Sequence, residues 1–361
     1  MQTQHPPTIA LVDLDAFYAS VEVIENPILA GKPLLIGGDP ASRGVVAAAS
    51  YEARQFGCHS AMPMAQAVRL CPEATILRPR FVLYREYSDR VMNSLKQESA
   101  IVEQVSIDEA YVDLSSPTKV NISQTALARR LQGIIRIEHL LPCSVGMGTS
   151  KMISKIACEV AKPGGVLTVP AGQERSFLKP LPISIMPGIG PQTSQRLASL
   201  GLTTLGQLAD CPSRELAVVI GPRSAILQER ARGIDRSKLK TTREIKSISS
   251  EETFVSDISD KAVLADQVMA ACGQLADQMK ERNLVCRTVT LKLRMANFDT
   301  VTRAESWDYA TGDPDVISHH ANHLLDVNWE ADMQVRLVGV AVSNLRPLRN
   351  PAQLSLGNLS T

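Results

Sequence analysis

Apolar and polar residues follow two different spacings in the first 170 positions. The segment TIALVDLD (8–15) is almost continuously apolar and ends in acids, which is typical of a buried β-strand. The segment FVLYREYSDRVMNSLKQE (81–98) has apolar residues near helical spacing and predicts an amphipathic helix. A further helix is expected near 124–139. Because strand and helix patterns alternate, we expect an α/β or α+β fold here.

Two shorter patterns follow in the same region. Residues 101–115 predict two short strands around SIDEA. The segment CSVGMGTSKMISKIACEVAKPGG (143–165) predicts a strand, a glycine-containing turn and a helix that stops at Pro-Gly-Gly. Thr149 or Ser150 is expected to cap that helix, since either hydroxyl oxygen can accept a hydrogen bond from a free backbone N–H of the first turn.

The pattern changes in the second half of the chain. Residues 180–233 are helical throughout, interrupted by glycine and proline, and the basic stretch DRSKLKTTREIK (235–246) is expected to be a linker. Two segments rich in valine and threonine, 285–307 and 334–345, predict strands, and residues 260–282 predict a helix. The last dozen residues are expected to form a loose tail.

Composition narrows the class of protein. A chain of 361 residues is long enough for two to four domains. The net charge of +1 neither favours nor excludes nucleic acid, so any basic surface must be local. The start, MQTQHPPT, is polar, unlike a signal peptide, and no apolar run approaches the roughly 20 residues that span a bilayer. Seven scattered cysteines, none in a CxxC pair, are expected to be buried, reduced thiols of a cytosolic protein: Cys58, Cys71, Cys143, Cys158, Cys211, Cys272 and Cys286.

Two acids stand side by side in the strand-like segment VEQVSIDEAYVDLSS (102–116). In an extended strand, neighbouring side chains point to opposite faces, so either Asp108 or Glu109 would enter the core. A lone buried carboxylate is costly unless it is paired, neutralised or bound to metal. We therefore expect the chain to turn here, so that both acids emerge together at a hairpin tip.

A third acid changes the meaning of this pair. Asp13 lies at the carboxyl end of the strand over 8–15, and alone it is weak evidence for a site. With Asp108 and Glu109 it makes three carboxylates on two strand ends, which suits Mg²⁺ because that ion prefers hard oxygen ligands. Two such ions, roughly 3.5–4 Å apart, can stabilise both oxygens of a phosphoryl displacement. Asp15 is an alternative to Asp13 that spacing does not exclude.

Basic residues in two motifs could bind phosphate. Tyr51 and Arg54 in YEARQFG are three positions apart and share a helical face, and arginine can bind phosphate with two hydrogen bonds. An ordinary surface helix with a salt bridge explains the same residues. Lys162 in AKPGG lies at a helix end, where the helix dipole alone favours a cation.

A more specific pattern is MPGIGPQTSQRLASLGLTTLGQL, in which Gly188 and Gly190 flank an apolar residue between helices. This matches a helix-hairpin-helix, whose tight turn exposes backbone N–H groups that hold a phosphate without recognising base sequence. A plain helical turn is the alternative.

Taken together, these segments resemble one family. LVDLDAFYASVE, AAASYEARQFG, SIDEAY, VGMGTSKMISKIACEVAKPGG, MPGIG, RARGIDRS, RTVTLKLRMANFDTVTR and VRLVGVAVSNL, in this order from residue 9 to about 345, resemble the Y-family (translesion) DNA polymerases, and among them the bacterial DNA polymerase IV type. The resemblance implies a DNA-directed DNA polymerase for translesion synthesis, and hence roles in DNA repair and mutagenesis.

The implied fold is an α+β multidomain right hand. The resemblance places the palm at 1–18 and 80–170, the fingers at 19–79, the helix-hairpin-helix thumb at 171–233, the basic linker at 234–246, the α/β little finger at 247–345 and the tail at 346–361. The tail is too short for a proofreading exonuclease, so we expect none.

The resemblance also assigns roles to site residues. Asp13, Asp108 and Glu109, with the backbone carbonyl of Leu14, would hold two Mg²⁺ ions, with Mn²⁺ as an alternative. The implied nucleotide-binding residues are Tyr51, Arg54 and Lys162 for the triphosphate, Tyr18 after Phe17 as a steric gate against the ribose 2′-hydroxyl, and Ala48 and Ala61 over the nascent base pair. Many relatives have Phe at the gate position. The small alanines imply a spacious site and low fidelity.

DNA binding is expected from local surfaces. The candidate residues are Gly188, Gly190, Lys246, Lys292, Arg294, Arg303 and Arg336. In the tail, QLSLG resembles the peptide that docks on the sliding clamp, through Gln353, Leu354 and Leu356, although Gly357 replaces the usual aromatic residue.

The implied partners are primer–template DNA, deoxynucleoside triphosphates and the sliding clamp, for a cytoplasmic monomer without a membrane partner. Two other classes share part of these features. A nucleotide cyclase has the paired acids but no use for a helix-hairpin-helix. A DNA-binding scaffold needs the second half of the chain but not the three acids together with the phosphate ligands.

Overall fold

The computed structural model describes residues 6–116, 122–242 and 244–348. The chain divides into two compact units, and the division follows Thr242, inside the stretch predicted as a linker. The residues of that stretch which the structure describes lie outside helices and strands. The boundaries of palm, fingers, thumb and little finger remain predictions.

The first unit contains eight strands and eleven α-helices in its described part. The strands are β1 (Ile9–Leu14), β2 (Leu34–Gly37), β3 (Val46–Ala49), β4 (Thr75–Leu77), β5 (Val102–Gln104), β6 (Glu109–Asp113), β7 (Cys143–Gly148) and β8 (Val166–Thr168). The helices are α1 (Phe17–Glu25), α2 (Tyr51–Gln55), α3 (Met64–Leu70), α4 (Phe81–Glu98), α5 (Gln124–His139), α6 (Lys151–Ala161), α7 (Glu174–Leu178), α8 (Pro191–Ala198), α9 (Leu205–Asp210), α10 (Ser213–Ile220) and α11 (Ser224–Ala231).

These bounds confirm the sequence predictions for several elements. Helix α4 spans the predicted 81–98, α5 the predicted 124–139, and two short strands flank SIDEA. Ser150 rather than Thr149 caps α6, since its Oγ accepts a hydrogen bond from the N–H of Ile153 at 3.4 Å. The seven cysteines are buried free thiols, as expected.

The central sheet of the first unit has the strand order β5-β6-β1-β7-β8, with β1 in the middle. Side chains alternate along β1, so Ala10, Val12 and Leu14 pack into the core that α4 and α5 cover. The opposite face carries Ile9 and Leu11, which pack with Cys158 of α6. Asp13 continues this second face and therefore points to the side of the sheet that α6 covers.

Close packing of α6 on this face requires glycine at 146 of β7. A Cβ atom there would overlap the backbone of Ser154 and Cys158, so only glycine allows the helix to approach the strand so closely. The hydroxyl of Ser154 donates a hydrogen bond to the carbonyl of Ile9 at 2.7 Å, which joins α6 to β1. The helix is thus held in place beside the acidic end of β1.

Two smaller parts complete the first unit. A three-stranded sheet, β3-β2-β4, packs with α2 and α3 around a small apolar core that includes Leu35 and Met64. Helices from α7 to α11 form a second core with one face of α6, and this core includes Ile153 and Ile156.

The second unit is a sheet covered on one face by two helices. Its elements are β9 (Ser247–Ile258), α12 (Lys261–Glu281), β10 (Leu284–Met295), β11 (Thr300–Thr311), α13 (Pro314–Asn328), β12 (Val335–Ser343) and β13 (Arg346–Pro347). The strand order is β11-β10-β12-β9, and Val289, Leu291 and Leu293 of β10 pack in the core with both helices. Strand β13 pairs with the start of β10, so the sheet extends just past the predicted domain end at 345.

Within the described ranges, no helix has both the length and the apolar character that crossing a membrane requires.

Candidate active site

The acidic end of the central sheet brings two of the predicted carboxylates together. Asp13 of β1 and Glu109 of β6 are register partners on neighbouring antiparallel strands, so their side chains leave the same face of the sheet. Asp13 is buried, and burial of a carboxylate demands a compensating charge or donor. The structure supplies that charge from α6.

Two lysines of the α6 segment contact these acids. The Nζ atom of Lys155 lies 3.4 Å from Oδ2 of Asp13 and also contacts the carboxylate of Glu109. The Nζ atom of Lys162, at the C-terminal end of α6, lies 2.9 Å from the same Asp13 oxygen. Burial lowers the pKa of each lysine, but the carboxylates outweigh it and the net pKa of both is raised. The site therefore carries two ammonium groups beside two carboxylates.

Asp108 lies in the turn that joins β5 to β6, where the sequence predicted both acids, whereas Glu109 is already the first residue of β6. The backbone carbonyl of Asp108 accepts a hydrogen bond from the N–H of Leu14 at 2.9 Å, and its Oδ1 accepts one from the hydroxyl of Ser106 at 2.6 Å. In the part of the chain that the structure describes, no three or more His, Cys, Asp or Glu side chains gather closely enough to hold a metal ion. The expected three-carboxylate cluster is thus only partly assembled: Asp13 and Glu109 lie together and pair with lysines, and the Asp108 carboxylate accepts a hydrogen bond from Ser106.

Asp15, the alternative to Asp13, has a different environment. Its side chain is 2% exposed and accepts hydrogen bonds from Tyr51 Oη at 3.1 Å, Ser144 Oγ at 2.9 Å and the N–H of Gly164 at 2.9 Å. These donors come from α2, β7 and the turn after α6. Three protein donors thus bind the Asp15 carboxylate, whereas the partners of Asp13 are the two lysines.

The predicted phosphate ligands lie near one another. Ser50 caps α2, so the helix begins at Tyr51, and the guanidinium of Arg54 lies over the Tyr51 ring, 4.7 Å from its centroid. The Nε of Arg54 donates to the carbonyl of Ala49 at 3.1 Å. Burial and then Asp15 raise the pKa of Tyr51 to about 12, against the opposing charges of Arg54 and Lys162. Arg54 and Lys162 are therefore both within electrostatic reach of the Tyr51 hydroxyl.

An aromatic cluster holds the predicted steric gate. The Tyr18 ring is stacked on Tyr84, with centroids 4.3 Å apart, and Phe81 packs edge-on at 6.0 Å. Phe17, predicted with Tyr18, is buried in the core, because adjacent residues of a helix face different directions. Tyr18 is thus the accessible member of the pair.

Sequence reasoning missed the residue that supports this ring. Tyr84 is fully buried, and its hydroxyl donates to Oε1 of Glu22 at 2.6 Å, while Nε of Arg80 binds the same oxygen at 3.0 Å. The spacing of Phe81, Tyr84 and Tyr87 on α4 was the available signal, but it only indicated a core-facing helix.

Two alanines predicted to lie over the base pair and two glycines predicted to bind DNA are the remaining candidate residues of the first unit. Ala48 is buried on β3, and Ala61 is exposed with a φ of +67°. Gly188 has a φ of +95°, which favours glycine, and Gly190 directly precedes α8. This is the predicted turn between helical segments.

The predicted basic residues of the second unit do not all share one face. Lys292 and Arg294 alternate with the buried leucines of β10 and so lie on the face opposite the helices. Arg303 of β11 is the register partner of Leu291 and therefore belongs to the helix-covered face, at an edge strand. Arg336 lies 4.7 Å over the Phe298 ring, and exposed Lys246 precedes β9. The sequence analysis grouped these residues as one DNA-binding set and did not assign each side chain to a face of the sheet.

The predicted clamp-binding residues Gln353, Leu354 and Leu356 lie outside the described residues.

Three family models match the chain. A model of the impB/mucB/samB family matches residues 12–159, one of that family's C-terminal domain matches 245–356, and one of the IMS family HHH motif matches 172–202. The chain is 42% identical to a DNA polymerase IV of Streptomyces coelicolor over 342 residues, which are 94% of this chain and 71% of that protein. It is 38% identical to a DNA polymerase IV of Halorhodospira halophila over 343 residues, 95% of this chain and 96% of that protein.

Solved structures of Y-family DNA polymerases are also similar to this chain. A Y-family DNA polymerase chimera, Dbh-Dpo4(243-245)-Dbh, superposes with a TM-score of 0.86 at 27% identity and covers 94% of this chain and 99% of its own. An insertion ternary complex of Dbh DNA polymerase matches with a TM-score of 0.66 at 26% identity, over 94% of this chain and 99% of its own.

Proposed function

Because this chain belongs to the impB/mucB/samB family and is a Y-family DNA polymerase of the polymerase IV type, we propose that its nucleotidyl-transfer site is the acidic end of the central sheet. The observation that carries the proposal is the register pair Asp13 and Glu109, with Asp108 in the adjoining turn. The reaction is the addition of deoxynucleotides to a primer 3′-hydroxyl under the direction of a template.

The side chains at this site fit divalent magnesium by their chemistry. Asp13, Asp108 and Glu109 offer carboxylate oxygens, the hard donors that Mg²⁺ prefers, and they lie on adjoining strand ends. We propose that these three, with the Leu14 carbonyl, hold two Mg²⁺ ions, for which Mn²⁺ is the alternative. Bound there, the ions would polarise the phosphate oxygens and neutralise charge that develops during transfer.

Residues around the acids bind and orient the nucleotide. Lys162 and Arg54 supply positive charge for the triphosphate, and the Tyr51 hydroxyl can donate a hydrogen bond to it. Tyr18, held by its stacking on Tyr84, is rigid enough to exclude a ribose 2′-hydroxyl. Lys155 contacts the carboxylates of both Asp13 and Glu109 and so helps to hold them close together.

We further propose low fidelity, lesion bypass and the absence of proofreading. Small side chains at Ala48 and Ala61 make few contacts with the base pair, which limits discrimination between right and wrong pairs. The helix-hairpin-helix turn and the open sheet face with Lys292 and Arg294 would hold the DNA backbone without sequence preference. A cytoplasmic, monomeric enzyme that binds the sliding clamp through its tail remains a prediction.

Primer extension on damaged and mismatched substrates tests this function. We expect incorporation opposite an abasic site, and extension of a 3′-mismatched primer without prior removal of the mismatched nucleotide. A chain that stops at the abasic site contradicts lesion bypass, and release of the mismatched 3′ nucleotide contradicts the absence of proofreading.

A further inference from the structure

The buried carboxylate of Asp15 joins three segments that surround the proposed nucleotide site. It lies just beyond β1, and its partners are Tyr51 of α2, Ser144 of β7 and Gly164 of the turn that follows Lys162. Its own N–H donates to the carbonyl of Pro142 at 3.0 Å, which fixes the backbone as well. One carboxylate therefore sets the position of two of the proposed triphosphate ligands, Tyr51 and Lys162, relative to each other.

The two oxygens of this carboxylate have different partners. Oδ1 accepts the hydrogen bond from Tyr51 at 3.1 Å, and Oδ2 accepts the one from Gly164 at 2.9 Å. The hydroxyl of Ser144 lies within 3.0 Å of both oxygens. Oδ1 thus faces α2, and Oδ2 faces the turn after α6.

The bond from Tyr51 creates a competition. A phenol has a single O–H proton, and in this structure that proton is directed at Asp15. The oxygens of an ionised triphosphate are also acceptors, so the hydroxyl can donate to the nucleotide only when it gives up its bond to Asp15. Nucleotide binding then exchanges one charged acceptor for another and gains little from this contact.

We propose that Asp15 is a positioning residue that holds Tyr51 and the turn after Lys162 in place and weakens nucleotide binding by competing for the Tyr51 hydroxyl proton. The proposal rests on the proposed role of Tyr51 in binding the triphosphate. The nucleotide affinity is then set in part by one buried side chain that does not itself contact the triphosphate.

The variant Asp15→Asn tests this competition with little other change. An asparagine can place its carbonyl oxygen where Oδ2 now accepts from Gly164, and its NH₂ group where Oδ1 now faces Tyr51. The carbonyl oxygen then keeps the bonds from Gly164 and Ser144, while the Ser144 hydroxyl gives up its contact with Oδ1. The bond with Tyr51 is reversed, so the phenolic proton is free for the triphosphate. The double variant with Tyr51→Phe removes that proton altogether.

The measurement is single-turnover incorporation of one nucleotide by the full chain, which separates the nucleotide Kd from the maximal rate. We expect Asp15→Asn to lower the nucleotide Kd about tenfold, the effect of gaining one hydrogen bond to a charged group. In the Tyr51→Phe background the same change should alter the Kd by about twofold or less. Glu52→Gln removes a neighbouring negative charge without touching the hydroxyl, and it should leave the Kd within about twofold.

The other outcomes overturn the proposal. If Asp15→Asn raises the Kd, or changes it equally with and without the Tyr51 hydroxyl, Asp15 is only structural. A second variant covers loss of folding: Ser144→Ala removes a donor that shares the carboxylate, so Asp15 should hold Tyr51 more firmly and the Kd should rise about twofold. An unchanged Kd there also contradicts the competition. Failure of the proposed function is distinct, because the unaltered chain would then incorporate no nucleotide.

Discussion

Asp13 and Glu109 face each other across two antiparallel strands, and a single ammonium group, that of Lys155, contacts both carboxylates. The pairing follows from side-chain alternation, because Asp13 continues the face of β1 that α6 covers. The acids are thus held close together by the fold itself. This relationship locates the proposed catalytic site within the Y-family fold.

Replacing Lys162 should weaken nucleotide binding more than it slows the chemical step. Its Nζ atom pairs with Asp13, and its position at the end of α6 suits a triphosphate ligand. We expect Lys162→Ala to raise the nucleotide Kd about tenfold in single-turnover incorporation, through loss of a charged contact. Lys151→Ala is the matched control, since Lys151 is on the same helix but binds Glu103 at 2.7 Å. Equal effects of both variants would contradict the assignment.

Removing the gate ring should admit ribonucleotides. Tyr18 is stacked on Tyr84, so its ring cannot easily move aside for a 2′-hydroxyl. We expect Tyr18→Ala to reduce the preference for deoxynucleotides at least about tenfold, or 1.4 kcal/mol in relative barrier height. Competition between the two nucleotide types in primer extension measures this preference. Tyr309→Ala, which removes an exposed tyrosine, is the control and should keep the selectivity of the parent. The gate assignment is wrong if Tyr18→Ala also remains as selective as the parent.

Binding to primer–template DNA should weaken steeply with salt, and the slope should identify the contacting face. Lys292 and Arg294 lie on the open face of the second sheet, whereas Arg303 is on the helix-covered face. We expect Lys292→Ala and Arg294→Ala each to reduce the slope of log K against log salt by about 1. Arg303→Ala should reduce it less. Titrations by fluorescence anisotropy at several salt concentrations measure these slopes, and a flat response in the parent would contradict a phosphate-binding surface.

Acid should destabilise the first unit through His139. This side chain is 9% exposed and lies 2.9 Å from the Ser94 hydroxyl, and burial lowers its pKa below the usual 6.5. The folded state therefore binds a proton less readily than the unfolded state. The contribution to stability is intact above about pH 6.5 and declines as the pH falls through the range below it, by up to about 1.4 kcal/mol per unit of pKa shift.

Urea unfolding at pH 7.5 and pH 5.5 measures this effect. The parent chain should lose more free energy of unfolding between the two values than His139→Gln, which has no group to titrate there. Identical losses in parent and variant would show that other groups account for the acid sensitivity.

Local elements of this chain could be predicted well from sequence. Helix α4 was predictable from apolar spacing, and the cap of α6 could be narrowed to Thr149 or Ser150, because both features depend on neighbouring residues. The paired acids of SIDEA predicted a turn because one of two adjacent acids in a strand would otherwise be buried. Contacts between distant segments were harder, since strand register decides which acid faces which.

At Lys155, Asp15 and Arg303, what the sequence could not resolve depends on contacts between distant segments. Lys155 is seven positions before Lys162, a spacing that is common on any helix, and only the packing of α6 on β1 brings it to Asp13. Asp15 could not be separated from Asp13 by spacing, but its three donors come from segments up to 149 positions away. Arg303 was grouped with Lys292 because the sequence does not show which residues of β10 and β11 are register partners, and hence which side chains share a face.

The most direct test of the proposed site is single-nucleotide primer extension with Mg²⁺ by the parent, Asp108→Ala, Glu109→Ala and the exposed control Asp89→Ala on α4. DNA binding should be measured on the same samples. We predict extension by the parent and the control, a loss of at least about 10³-fold, or 4 kcal/mol, in both site variants, and primer–template affinity within about twofold throughout. Extension by Asp108→Ala or Glu109→Ala at a rate close to that of the parent would contradict the placement of catalysis at the acidic end of the central sheet.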